Sequence, residues 1–499
     1  MPTLTQALPY ELAQEFGIVP LSDEGTAITV ATAPHLTVAA LGAARQRLGK
    51  PLRTQSVDSV EFRKLLTQAY AVRSVRDGEA AVDSKSGFAQ PSDAAISGSE
   101  MDLLASSQQD ENSPAVRIVG ELFREALARG ASDIHLDATT QGGRVRFRVD
   151  GVLGDARETD GATHAALVAR CKVMAQLDIA ERRLPQDGRL QVTLAGHKID
   201  VRIATLPTQH GERVVLRLLD TSAAKLDLGG LGFAEKTLDA VRQAVRMPHG
   251  LVLVTGPTGS GKTTTLYSAV SELDRERLNV VSVEDPVEYA LDRVAQTQVN
   301  PRIELTFARA LRSILRHDPD VIIVGEIRDR ETAEIAIQAS LTGHLVLASL
   351  HTNTAGAAVT RMTDMGVEPY LLASSLRGVL AQRLVRKLCS QCRVAHATTA
   401  EESALLQAHG IGSAGSIASL YTAPGCKACN HTGYRGRLGL YRWLPVNAEI
   451  ARAIHARATD TELEALALTQ GWPSLASDAV RPLAAGETTL AEVLRVVTL

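Results

Sequence analysis

Apolar and polar positions along this chain change their period several times, and each change marks an element. Leu8, Leu12 and Phe16 recur at helical spacing and end at Gly17. Ala27 to Ala31 reads as a short strand and Val60 to Val72 as a helix, so residues 1–75 form a small α/β module. From 76 to 113, Ser, Ala, Gly, Gln and Asp dominate and apolar residues are sparse, which predicts a flexible linker. Order resumes with Ser113 as N-cap, Pro114 at the first helical position and Gly130 as the stop. Val116, Val119, Phe123 and Leu127 form the stripe between them. Period-two alternation follows in Asp133–Asp137 and in Arg144–Val149, where arginines line one face. A helix over His164–Leu177 and strands at Asp200–Ala204 and Val214–Leu219 complete an α+β middle domain, 114–225.

Between 226 and 385 the pattern alternates strand and helix. Leu251–Thr255, Val280–Glu284, Val321–Val324 and Leu345–Leu350 read as the strands, and their alternation with helices implies a largely parallel sheet covered on both faces. The fold class is therefore α/β, with a parallel sheet between helices. Residues 386–440 hold two cysteine pairs, and 441–499 are helical in pattern. No internal repeat is present.

Gly256-Pro257-Thr258-Gly259-Ser260-Gly261-Lys262-Thr263, with Thr264 after it, fills every fixed position of the phosphate-loop pattern. It lies between a buried strand and a helix. Glycines let backbone N–H groups turn toward phosphate, and the helix N-terminus adds partial positive charge. Lys262 is placed to reach the β/γ-phosphates of ATP, and the Thr263 hydroxyl to hold Mg²⁺. Two carboxylates end central strands, where ligands sit in open α/β sheets. Glu284 opens Glu-Asp-Pro-Val-Glu and is the preferred candidate for polarising the attacking water. Glu326 follows Gly325 where many such loops carry Asp, and the sequence does not decide between the two carboxylates. His344 and His351 flank the strand 345–350 and are candidates for sensing the γ-phosphate, although a lone histidine is more often structural. Arg202 and Arg217 lie on middle-domain strands, either as a solvated face or as arginine fingers.

Cys389-x-x-Cys392 and Cys426-x-x-Cys429 make a four-thiolate set suited to structural Zn²⁺, and Cys171 reads as a core residue. The charge balance is even, 53 basic against 56 acidic residues, which argues against a dedicated nucleic-acid binder. No apolar run reaches the ~20 residues of a membrane span. The N-terminus lacks a secretory pattern, so a cytoplasmic chain is expected, its membrane contact made only through partners.

The stretches Gly256–Tyr267, Val283–Tyr289, Gly325–Asp329 and Leu341–Asn353 resemble, in order, the Walker A, Asp box, Walker B and His box of the secretion ATPases that drive type II secretion and type IV pilus assembly. In that family Walker B also ends Gly-Glu, and Arg202 and Arg217 match arginines that reach nucleotide. The cysteine pairs, Gln382–Cys389, Gly433–Arg437, Arg183–Arg189 and the N-terminal module resemble the type II assembly ATPase, the E-component. A pilus-extension ATPase is the alternative. A conjugation-type DNA motor or a nucleotide-gated scaffold fits less well. The resemblance implies a RecA-like ATPase domain after a PAS-like middle domain. It further implies a homo-hexamer on the inner membrane of a Gram-negative bacterium. Residues 1–75 would dock on the cytoplasmic domain of an inner-membrane secretion protein, and the platform protein would be a further partner.

Overall fold

In the computed structural model, residues 8, 12–13, 16–23, 26–34, 38–58, 62, 65, 99–102, 114–194, 197–220, 227–412 and 417–497 are described. The chain divides into two compact units, Met1–Ala94 and Ala95–Leu499. In the first, strand β1 (Ile18–Asp23) pairs antiparallel with β2 (Ile28–Thr32), and β2 pairs parallel with β3 (Leu52–Ser56). The helix Val38–Leu48 connects β2 to β3. Ile18, Val19, Ile28, Val30, Ala44 and Phe62 share its core. The strand expected at 27–31 is β2. The helices expected over 8–17 and 60–72, the N-cap at Ser113 and the 76–113 linker lie largely outside the described residues.

The second unit carries two seven-stranded sheets. The first has the order β4-β8-β9-β10-β5-β6-β7. These are Ser99–Asp102, Ala131–Thr139, Gly142–Val149, Val152–Thr159, Gln186–Leu194, His197–Thr208 and Gly211–Asp220, numbered β4 to β10 along the chain. Strand β4 lies inside the stretch expected to be linker. It pairs parallel with β8 through backbone bonds that a polar Ser-Glu-Met-Asp segment does not advertise. Helices Pro114–Arg129 and Gly161–Met174 bury Val119, Phe123, Leu167 and Met174 against one face of this sheet. Cys171 is buried there, as expected, and desolvation pushes its thiol up to about 12. Gly130 ends the first helix at φ 67°, the left-handed conformation a glycine stop supplies. On the opposite face, register aligns Arg189, Arg202, Arg217, Asp133 and Arg148 in one cross-strand row.

The other sheet has the order β13-β12-β14-β15-β11-β16-β19. Its strands are β11 (Gly250–Thr255), β12 (Val280–Glu284), β13 (Val294–Gln298), β14 (Val321–Val324), β15 (Leu345–Leu350), β16 (Leu376–Leu388) and β19 (Tyr434–Pro445). All pairs are parallel except β16 with β19. Leu251 and Leu253 enter one core while Val252 and Val254 enter another, because helices cover both faces. The boundaries expected at 385/386 and 440/441 fall inside β16 and β19. Cysteines 389–429 therefore sit on a segment inserted between two paired strands. Between the cysteine pairs, β17 (Val394–Ala397) and β18 (Ser419–Thr422) form a small antiparallel ribbon. Among the described residues, no helix is long and apolar enough to cross a membrane.

Candidate nucleotide site

Strand order sets the geometry. The loops after β11, β15, β14 and β12 leave the same end of the sheet, at successive steps of ~4.8 Å. His351 ends the strand beside the phosphate-loop strand, Glu326 follows the next, and Glu284 ends the one after that. Gly256 stands at φ 153°, and a Cβ there would lie 2.5 Å from Ser260 Oγ and 2.6 Å from the Gln382 carbonyl. Only glycine lets the loop pass under β16. Gln382 braces it further, donating to the Ser260 carbonyl at 2.6 Å and accepting from Thr265 Oγ1 at 2.9 Å. Pro257, Thr258, Gly259 and Gly261 form the remainder of the turn, with Gly261 as N-cap of the helix Lys262–Ser271. Thr263 is half-buried and Thr264 exposed in the first turn.

The Lys262 ammonium donates to the carbonyls of Gly256 (2.8 Å) and Pro257 (3.2 Å) and lies 3.5 Å from His351 Nδ1. His351 Nε2 meets Glu326 Oε2 at 3.1 Å, and the Arg328 guanidinium closes on the other Glu326 oxygen. Arg328 also lies 3.6 Å from Asp285. Lys262, His351 and Glu326 are thus brought together. Burial, opposed by Glu326 and aided by Arg383, lowers the Lys262 pKa to about 8. Phosphate favours the charged ammonium and raises that pKa in the complex. Its contribution to affinity is therefore complete below about pH 8 and falls by up to about tenfold per unit as pH rises from there toward the raised pKa of the complex. ADP titrations by calorimetry at pH 7, 8 and 9 should show the decline, and a flat profile would exclude this role.

Glu284 is placed differently. Its carboxylate is 3% exposed and accepts from the Tyr267 hydroxyl, from Ser282 Oγ (2.6 Å) and from Gln296 Nε2 (3.1 Å). Tyr267 belongs to the helix behind the phosphate loop, so Glu284 ties that helix to β12. These bonds occupy the Glu284 carboxylate, whereas Glu326 is the strand-end carboxylate that meets His351 beside Lys262. Gly325 has a steric reason, since a Cβ there would sit 3.1 Å from the Glu284 Cα and 3.2 Å from the Val283 carbonyl. A side chain there would require the end of β12 to give by a few tenths of an ångström.

His344 is not brought to the site. It stands at the far end of β15, a strand length of ~20 Å from His351. There Nδ1 contacts the Ala339 carbonyl at 2.9 Å, and its own carbonyl accepts from Gly250 N. A role at the γ-phosphate is replaced by a helix-end cap. Arg202 does face the nucleotide lobe, donating to the Val287 carbonyl at 2.9 Å beside Glu288 at 3.3 Å. Arg217 instead pairs with Asp133 at 3.0 Å and is 58% exposed. Arg328, Gln382 and Arg383 lie in stretches that carry the resemblance but were not named as site residues. The signal for Arg328 was a cation two residues beyond a strand-end carboxylate. Buried Arg383, which donates to the Asn353 carbonyl at 2.9 Å, gave none.

Cys389, Cys392, Cys426 and Cys429 bring their four sulfurs within 4.8 Å of one another. Three of the separations are 3.9, 3.9 and 3.8 Å. A tetrahedron of sulfurs at ~2.3 Å from Zn²⁺ has edges of about 3.8 Å. The donor set fits the metal. Burial acts to raise the Cys429 thiol, but N–H donors from Cys426 and Gly433 outweigh it and bring it to about 6.

Residues 108–495 match the family model described as type II/IV secretion system protein, and residues 7–70 match the model of an N-terminal domain of GSPII protein E. The chain is 45% identical over 493 residues to type II secretion system protein E of Pseudomonas aeruginosa, covering 98% of this chain and 96% of that one. It is 43% identical over 495 residues to type II secretion system ATPase E of Vibrio cholerae, with the same coverages. The solved pilus retraction motor PilT with bound ADP is 26% identical, with a TM-score of 0.50, covering 75% of this chain and 96% of that one. The Legionella pneumophila ATPase DotB (19% identity, TM-score 0.57, covering 80% of this chain and 99% of that one) shares the fold. A phosphate loop, a strand-end glutamate beside its lysine and matches spanning both units have one reading: this chain belongs to the type II secretion ATPase family, the E proteins, and is an ATPase.

Proposed function

We propose that this chain is the ATP-hydrolysing motor of a type II secretion system, working as a homo-hexamer at the cytoplasmic face of the inner membrane. Residues 1–75 would dock on the cytoplasmic domain of an inner-membrane secretion protein, and the platform protein would receive the motion. The match over residues 7–70 is to a domain of the type II protein, and it favours secretion over pilus extension. The observation that carries the motor reading is the convergence of Lys262, His351 and Glu326 beside a lobe that offers Arg202.

The residues divide the work. Gly256 to Thr264 cradle the phosphates of ATP, with Lys262 leaving its loop carbonyls for the β/γ-phosphates. Thr263 would hold Mg²⁺, and the ion would supply charge neutralisation on the phosphates. Glu326 polarises the attacking water while His351 orients it from the phosphate-loop side. Arg202 and Arg217 supply positive charge from the middle domain, so phosphate binding and release change what ties one lobe to the other. Arg217 must first leave Asp133. Zn²⁺ held by Cys389, Cys392, Cys426 and Cys429 would stiffen the insertion.

The test is a secretion assay. In a strain lacking this chain, the native copy should restore export of secreted proteins to the medium. A hydrolysis-dead copy should leave them in the periplasm with any surface pili unchanged. Loss of pili with export intact would favour the pilus-extension reading.

A further inference from the structure

Three arginines stand side by side on the face of the middle-domain sheet, with Arg202 between Arg189 and Arg217. Like charges in register repel. Each is offset differently. Arg217 has Asp133 on its own sheet, and Arg189 has the Gln298 amide oxygen at 3.5 Å. Arg202 alone of the three takes a carboxylate from the other lobe, Glu288, together with the Val287 carbonyl. Its side chain is 20% exposed, and burial lowers its pKa against the pull of Glu288.

Glu288 rides on the loop that leaves β12. Gln298 grips the same loop by accepting from Val287 N at 3.3 Å. Two residues nearer the strand on that loop is Pro286, and before it Asp285, which faces Arg328. Arg328 is paired with Glu326, and Glu326 reaches Lys262 through His351. A path of contacts thus runs from the middle domain to the phosphate cradle, through the Asp285–Glu288 backbone and through His351, and Glu288 is its outermost anion.

We propose that Glu288 is a positioning residue, a placeholder anion that holds Arg202 on the loop after β12 until nucleotide phosphate takes its place. This rests on the reading of Arg202 as an arginine that reaches nucleotide. A triphosphate carries several charges against one on Glu288, and guanidinium pairs with either in the same forked geometry. Glu288 therefore competes with phosphate for one cation. The competition keeps the lobes closed on each other when no phosphate is bound and sets the ATP concentration at which they exchange. A partly exposed pair of this kind is a modest competitor, so its removal should change the exchange by about two- to fivefold.

The experiment compares steady-state ATP turnover of the full chain with its Glu288→Gln, Glu288→Asp, Arg202→Ala and doubly substituted forms. Glu288→Gln should lower KM for ATP about two- to fivefold with kcat little changed. Glu288→Asp, which keeps the charge, should stay nearer the native value. In an Arg202→Ala background Glu288→Gln should have no further effect. A KM that is unchanged or raised by Glu288→Gln, or lowered equally without Arg202, overturns the placeholder role. If Arg202→Ala alone leaves turnover at the native level, the arginine reading beneath the proposal falls with it. Should Glu288→Gln melt early, Glu288→Ala is a second neutral form read by the same KM criterion.

Discussion

Replacing Glu326 with Gln is expected to lower ATP turnover by about 10³-fold while ATP still binds within a few fold of its native affinity. Gln keeps the shape and the contact with His351 Nε2 but cannot take a proton from water. It also gives up the charge that Arg328 and Lys262 both feel. Lys262→Ala in the same assay should lose turnover and binding together, because the ammonium touches ground state and transition state alike. Glu284→Gln is the informative control. Its carboxylate accepts from Tyr267, Ser282 and Gln296, so an amide there would face donors with an NH₂ group. A buried polar mismatch costs about 1–3 kcal/mol, read as a lower melting temperature. Turnover should fall only as far as the loosened helix Lys262–Ser271 disturbs the phosphate loop. If Glu284→Gln were catalytically dead yet fully stable, while Glu326→Gln kept its rate, the two roles would have to be exchanged.

The separate roles proposed for the two glutamates show what the sequence could carry. Both glutamates end apolar strands, and their motifs look equivalent in one dimension. Strand order separates them, since β15 and β14 lie between β11 and β12. Order is a long-range property, and no local period encodes it. The same holds for the histidines, which flank one strand in sequence and are kept apart by its length. The central strands β11, β12, β14 and β15 were legible, β11 short of its first residue Gly250, because burial on both faces favours mostly apolar runs. Strand β16 was not. Leu376, Val379, Leu380, Leu384 and Val385 recur at a spacing that suits a helix equally well, and only the partners β11 and β19 decide. Strand β4 escaped because a four-residue edge strand with one apolar residue, Met101, carries almost no hydrophobic signal. Arg202 and Arg217 were found together as one class, and the structure splits them by their counter-ions.

The second large effect is expected at the cysteines. Native protein should carry about one zinc ion per chain, and Cys392→Ser should lose it. Structural zinc contributes ~10–16 kcal/mol in small peptide sites, more than the apolar contacts of so short an insertion can replace. Within it, Leu406, Ile411, Ile417 and Leu420 join a core shared with Val385, Leu440 and the C-terminal helices. Without the metal, that core is still tied to β16 and β19 by Val385 and Leu440, by the Arg386–Glu492 pair and by the Leu388 N–H on the Glu487 carbonyl. The cores on either face of that sheet are separate clusters, so damage should stop at the ladder. The expected result is rapid proteolysis between 389 and 433, loss of zinc by elemental analysis, and ADP binding close to native. The asymmetry also tests what the insertion is for. Cys389 follows directly on β16, the strand whose Gln382 braces the phosphate loop. If zinc loss lowered ADP affinity as strongly as Lys262→Ala, the insertion would be part of the nucleotide cradle rather than a rigid appendage to it. Zinc-free native protein that resists protease would remove the metal from the account.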